Sequence, residues 1–121
     1  MKNLIFSILC FVALSTNATT YYISPTGSDA TGKGTTALPF KTIFKAASVA
    51  NSGDIIHVNA GTYTESQSTS LPAGVSIEGV GNTSIIRASF STVWQAILYC
   101  NSAEGTNGNQ HISKVKFDRQ K

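Results

Sequence analysis

Apolar and polar residues alternate over short stretches along most of the chain. Thr20 to Ile23, Asp54 to Asn59, Tyr63 to Glu65, Val75 to Glu78, Ser84 to Ala88, Trp94 to Cys100 and Gln110 to Asp118 are predicted strands. Between them lie Gly, Asn, Ser and Pro. Ser24 to Leu38 reads as a long polar loop closed by Pro39-Phe40, 66–70 as a second loop, Leu71 to Gly74 as a turn and 101–110 as a third loop. One segment follows a different period. Phe40, Ile43, Phe44, Ala47 and Ala50 recur at i, i+3, i+4, i+7 and i+10, which places one apolar stripe on a helix over about 42–51. Thr42 suits its N-cap and Gly53 its C-terminal stop, with Lys41 and Lys45 facing solvent.

The strands recur at a step. Ile56, Ile77 and Leu98 are each 21 positions apart, inside the range of about 20–50 residues that marks solenoids. The physical content of that step is parallel strands stacked one round upon the next, aliphatic side chains filling the interior, and Gly and Asn at the corners. The end of such a stack exposes unpaired backbone and an open apolar core. A helix ahead of the first round would cover that end. The alternative is a crossover helix in an ordinary βαβ unit. No second helical pattern follows downstream, which favours the cap.

The first residues read differently from the rest. Met1-Lys2-Asn3 carries a positive charge, Leu4 to Leu14 is an unbroken run dominated by apolar residues, and Ser15 to Ala18 is small and polar. This is the layout of a secretory signal peptide over 1–18, cut after Ala18. The run is shorter than the roughly 20 apolar residues of a membrane span, so no membrane span is expected. Cys10 follows Leu9 rather than the small residue a lipidation site requires. The expected mature chain is 19–121, secreted or held at the cell surface or in the periplasm. It retains Cys100 alone, so no intrachain disulfide is expected there.

Composition narrows the function classes. Charged residues make up 12% of the 121 positions and the net charge is +3, against roughly 25% charged in an average domain. That excludes long charged helices and basic nucleic-acid arms, so no nucleic-acid partner is expected. Thr, Ser, Asn and Gly fill 47 positions, a turn-rich and β-leaning composition.

Several segments together resemble the N-terminal part of pectin-lyase-like, right-handed parallel β-helix proteins of the secreted bacterial type. They are Ser24-Pro25-Thr26-Gly27-Ser28-Asp29, Pro39 to Ile43, Gly53 to Val58 and Ala60 to Tyr63. Residues 71–86 are similar to that family's second round. Gln110 to Asp118 is similar to its N-x-x-I-x-x-I-x-F strand, with Gln110 in place of Asn. The resemblance spans 21–118. It implies an all-β, right-handed single-stranded parallel β-helix of about three turns, with the helix near 42–51 as N-terminal cap and an incomplete C-terminal end. It also implies an exported parent that acts on or binds polysaccharide. The alternative is a non-catalytic β-helix surface or adhesion protein that binds glycans or proteins. Lyases of this fold use a Lys or Arg base and carboxylates holding calcium, on rounds this chain does not reach. Calcium is thus expected only in a longer parent, and no cofactor in this chain.

The residues themselves assemble no catalytic set. Asp29, Asp54, Glu65, Glu78, Glu104 and Asp118 include no close acidic pair. Asp29 reads as a local turn former, Asp54 as the organiser of the turn between helix and strand, Glu65 and Glu78 as solvated strand ends. His57 and His111 are isolated, and no H-x-x-H or cysteine cluster suggests zinc. Lys114 and Lys116 flank Val115 on one expected outward face, solvated or meeting an acidic polysaccharide. Tyr63, Trp94 and Tyr99 read as core or corner packing, with sugar stacking the alternative. Gly79-Val80-Gly81 is a turn and lacks the context of a nucleotide loop. Catalytic and metal residues are therefore expected to be none. The open C-terminal edge is a possible surface for self-association.

Overall fold

A computed structural model describes residues 17–90, 95–103 and 107–119. The expected signal segment lies almost wholly outside them, as do Trp94 and Glu104. The chain forms β1 (Thr20–Ile23), α1 (Ile43–Val49), β2 (Ile55–Val58), β3 (Gly61–Glu65), β4 (Thr69–Leu71), β5 (Ser76–Gly79), β6 (Ser84–Ala88), β7 (Leu98–Cys100), β8 (Ile112–Ser113) and β9 (Lys116–Arg119). It is mostly strand, with one short helix among the described residues. No helix among them is long and apolar enough to cross a membrane.

All strand pairs are parallel and fall into three sheets: β1-β2-β5-β8, β3-β6-β9 and β4-β7. From β2 onward the chain visits the first, second and third sheets in turn, then repeats that order through β9. Paired positions in a parallel ladder point to the same side of the sheet. Inward columns result: Tyr63, Ile86 and Phe117 in the second sheet, and Ile56, Ile77 and Ile112 in the first. Ile56, Ile77 and Ile86 are fully buried and join Ile23, Val58, Leu71 and Val75 in one core.

The 21-residue step holds once. Ile56 faces Ile77, but Ile77 faces Ile112, 35 positions on, and Leu98 faces Thr69 in the third sheet. The longer second interval comes from the connections around β7. The predicted loop over 66–70 contains the start of β4, and Gln110 to Asp118 is two strands in two sheets. The break falls at Lys114, whose φ of 54° places it in the left-handed region and turns the chain from one sheet to the next.

Helix α1 begins as predicted. The Thr42 hydroxyl accepts the N–H of Lys45 at 3.1 Å. It ends earlier than predicted, because Ala50 is already extended at φ −74° and ψ 143°. Gly53 belongs to the following turn, where its N–H donates to the Gly74 carbonyl at 2.9 Å. The buried stripe is Ile43, Ala46, Ala47 and Ala50, while Phe44 is 41% exposed. A stripe of alanines lets the helix lie close to the sheets, and the bulkier Phe44 is left outside. The helix joins parallel neighbours β1 and β2, the connectivity of the crossover alternative, yet it also packs on β4.

The outer edge of β1 is closed by the long polar loop. Tyr22 N–H donates to Gly34 O at 2.8 Å, Phe40 N–H to Tyr22 O at 3.0 Å, and Ser24 N–H to Phe40 O at 2.9 Å. Among the described residues, β3 and β4 at one end of their sheets, and β7, β8 and β9 at the other, each have one strand neighbour only.

Candidate functional site

The outward columns carry the polar chemistry. On the first sheet, Tyr22, His57, Glu78 and Ser113 stand in register on successive strands, about 4.8 Å apart in the pairing direction. His57 lies half-exposed against the Tyr22 ring, with centroids 5.2 Å apart. An open groove of about 400 Å³ runs beside this column, lined by Ile55, Ser76, Glu78, His111, Ser113 and Lys114, with Ile77 completing its wall. It combines an aliphatic floor with hydroxyl, imidazole and charged groups at its rim. Such a surface can hold a polar chain through several weak hydrogen bonds.

The charged groups there are largely matched. Lys114 Nζ lies 3.3 Å from Glu78 Oε1, and on the second sheet Arg87 holds Asp118 through Nε and NH2 at 3.2 and 2.8 Å. Both pairs are solvent-accessible and contribute little to stability. Lys116 does not share a face with Lys114 as expected. It lies on β9 opposite Ile85, whereas Lys114 occupies the corner between β8 and β9. The local alternation through Val115 was misleading because the chain changes sheet there. Among the described residues no group of three or more His, Cys, Asp or Glu side chains comes together.

Two carboxylates missed as a pair converge on the start of α1. Asp29 is no local turn former: Oδ1 accepts the N–H groups of Lys41 and Thr42 at 2.8 and 3.1 Å, and Oδ2 accepts the Thr42 hydroxyl at 2.8 Å. Glu65 is not solvated. It is 1% exposed, and Oε1 accepts the N–H of Ile43 at 2.9 Å. Burial pushes its carboxyl above the usual carboxylate range. The N–H groups of Ile43 and Phe44 oppose that shift, and the charge of Asp29 adds to it. No signal in the sequence joined β3 to a helix more than twenty residues earlier. The position three beyond Thr42 is a lysine, so no local capping box pointed there.

The remaining candidates are structural. Asp54 orders the helix-to-strand turn as expected, accepting Asn51 N–H at 2.8 Å, and it also accepts Thr19 N–H at 2.9 Å. Tyr63 is buried, and its hydroxyl lies 2.9 and 2.8 Å from the carbonyls of Ile23 and Asn59, with its pKa pushed up to about 12 by burial. Tyr99 is 44% exposed, and its hydroxyl accepts Ala96 N–H at 3.3 Å. Gln110 replaces the asparagine of the resembling strand by reaching the carbonyls of Leu71, Pro72 and Asn101 at 3.2, 3.3 and 2.5 Å. Cys100 is exposed and free.

A family described as proteins of unknown function (DUF1565) matches residues 25–97, and the chain belongs to it. The match runs from Pro25 in the polar loop through α1 and the five strands β2 to β6 to Ile97. No curated protein and no solved structure matches the chain.

Proposed function

We propose that this chain is the N-terminal portion of an exported, pectin-lyase-like, right-handed parallel β-helix protein whose parent acts on or binds polysaccharide. The observation that carries the reading is the repeated visiting of three parallel sheets in one order, with columns of buried aliphatic side chains inside. In this reading α1 caps the first round, and the family motifs from Ser24 to Tyr63 supply the resemblance. The first-sheet groove is the glycan-facing surface of this segment. The segment holds no complete active site, because its outward carboxylates Glu78 and Asp118 are each taken up by a cation. Those ion pairs favour, as the second reading, a non-catalytic surface protein that binds glycans.

Two measurements test this. Electrophoresis through gels containing polygalacturonate or neutral glucans should retard the chain in at least one, and Glu78→Ala with Lys114→Ala should reduce that retardation. Free migration in every gel would refute glycan binding. Absorbance assays for unsaturated uronates, on polygalacturonate with calcium, should show no product, and a robust signal would overturn the claim of an incomplete site. Export is tested by N-terminal sequencing of the secreted protein, which should begin at Thr19.

A further inference from the structure

In the first-sheet groove the charged groups are engaged and the uncharged polar groups are not. Of its described lining residues, Glu78 and Lys114 carry full charges, and they face each other at 3.3 Å. The fold builds that pair. Glu78 on β5 stands beside Ser113 on β8, and Lys114 is the next residue, at the left-handed corner. The Lys114 carbonyl accepts the Gly81 N–H at 2.8 Å, and a Cβ at Gly79 would run into the same carbonyl. The corner is thereby pinned over the end of β5, and Lys114 meets a carboxylate 36 positions away in the chain. Ser76, Ser113 and His111 line the same groove, and their side chains have no hydrogen-bond partner among the described residues. Ile55 adds apolar surface beside them.

We infer that this groove takes a neutral glycan and that Glu78 is the specificity residue that keeps anionic glycans out. The inference rests on the polysaccharide reading above and names the ligand class within it. The free hydroxyls of Ser76 and Ser113 and the His111 imidazole can exchange hydrogen bonds with sugar hydroxyls, and Ile55 can meet the apolar face of a sugar ring. A uronate entering the groove would instead meet the Glu78 carboxylate, and the Lys114 cation that could attract it is already engaged there. Placing like charges together weakens the wrong ligand and leaves an uncharged one unopposed. A calcium ion bridging two carboxylates needs several oxygen ligands, and no group of three or more His, Cys, Asp or Glu side chains comes together among the described residues. The pair is solvent-accessible and adds little to stability, so its effect falls on ligand choice rather than on folding.

The test is titration calorimetry of the purified chain with hydroxyethylcellulose, dextran, carboxymethylcellulose and polygalacturonate. The first and third share one backbone, without and with charge. Salt at about 0.15 M screens the charges elsewhere on the surface. Binding to at least one neutral glycan is expected, and weaker binding to both anionic ones. Glu78→Gln, an exposed change whose folding is checked by circular dichroism, should raise the anionic-to-neutral affinity ratio several-fold, the size of a single exposed charge interaction. Ser76→Ala with Ser113→Ala should lower the affinity for the neutral glycan without raising that ratio. Tighter binding of the native chain to an anionic glycan would overturn the inference and leave the polysaccharide reading standing. So would a Glu78→Gln variant with the native ratio. Binding to none of the four would overturn both.

Discussion

Glu65 and Ile43 stand 22 positions apart in the chain, yet the Glu65 carboxylate accepts the Ile43 N–H at 2.9 Å in a buried setting. The last residue of β3 thereby satisfies one of the open N–H groups at the start of α1. This contact ties the helix to the second sheet and gives a first prediction. Because burial raises the Glu65 pKa, the folded state holds its proton more firmly than the unfolded state. The contribution of this group to stability therefore falls as pH rises from the unfolded pKa through the folded one. Urea denaturation of the native chain and Glu65→Gln, from pH 4 to 8, should show the native chain losing ground relative to the variant with rising pH. A difference that moves the other way would refute the assignment. Glu65→Ala, which orphans the Ile43 N–H, should cost about 1–3 kcal/mol.

Asp29 is expected to act as the latch of the long loop. Its three hydrogen bonds hold Lys41 and Thr42 in place just ahead of α1. Asp29→Ala should destabilise the chain by about 1–3 kcal/mol and accelerate amide exchange at Lys41 and Thr42 well before exchange in β5. Unchanged protection at those two amides would show that the loop is held by its backbone contacts alone.

Two glycines separate backbone strain from steric exclusion. Gly53 has φ +96° with nothing near its missing Cβ, whereas Gly61 has φ +144° and a Cβ there would run into the Pro25 ring. Gly53→Ala should cost about 1 kcal/mol, for the backbone conformation alone. Gly61→Ala should cost clearly more, since the Ser24-Pro25 corner must also shift. Thermal denaturation of the two variants ranks them, and equal losses would remove Pro25 from the explanation.

Tyr63 should be visible by spectrophotometric titration. With its pKa at about 12, one tyrosine should resist ionisation on raising the pH, and Tyr63→Phe should abolish that late step. The same variant removes the hydroxyl from two backbone carbonyls and should lose about 1 kcal/mol. If the late step persists in the variant, the resistant phenol is another tyrosine.

Local pattern carried much of this fold. Period-two alternation located β2, β5 and β6 to within a residue or two, because each buries every second side chain. Thr42 marked the helix start through a contact spanning three residues. The failures share a different cause. Phe44 fits the helical stripe by spacing, but close packing on the sheets selects Ala46 instead. Ile77 meets Ile112 rather than Leu98 because the chain between β5 and β8 is longer than that between β2 and β5. Lys114 and Lys116 separate because a left-handed corner falls between β8 and β9.

The site divides in the same way. That Tyr63 packs in the core was readable from its residue type and its place in an extended stretch. The fates of Asp29 and Glu65 were not. Each is a carboxylate in a polar stretch, and only tertiary approach to the first turn of α1 gives it backbone donors to satisfy. By itself the sequence determined which segments extend, which one coils and which face of each strand is apolar, because those properties depend on contacts within a few residues. Tertiary structure alone decided strand register and the burial of Glu65. Those depend on the length of chain between paired strands and on which surfaces the helix and sheets bring together.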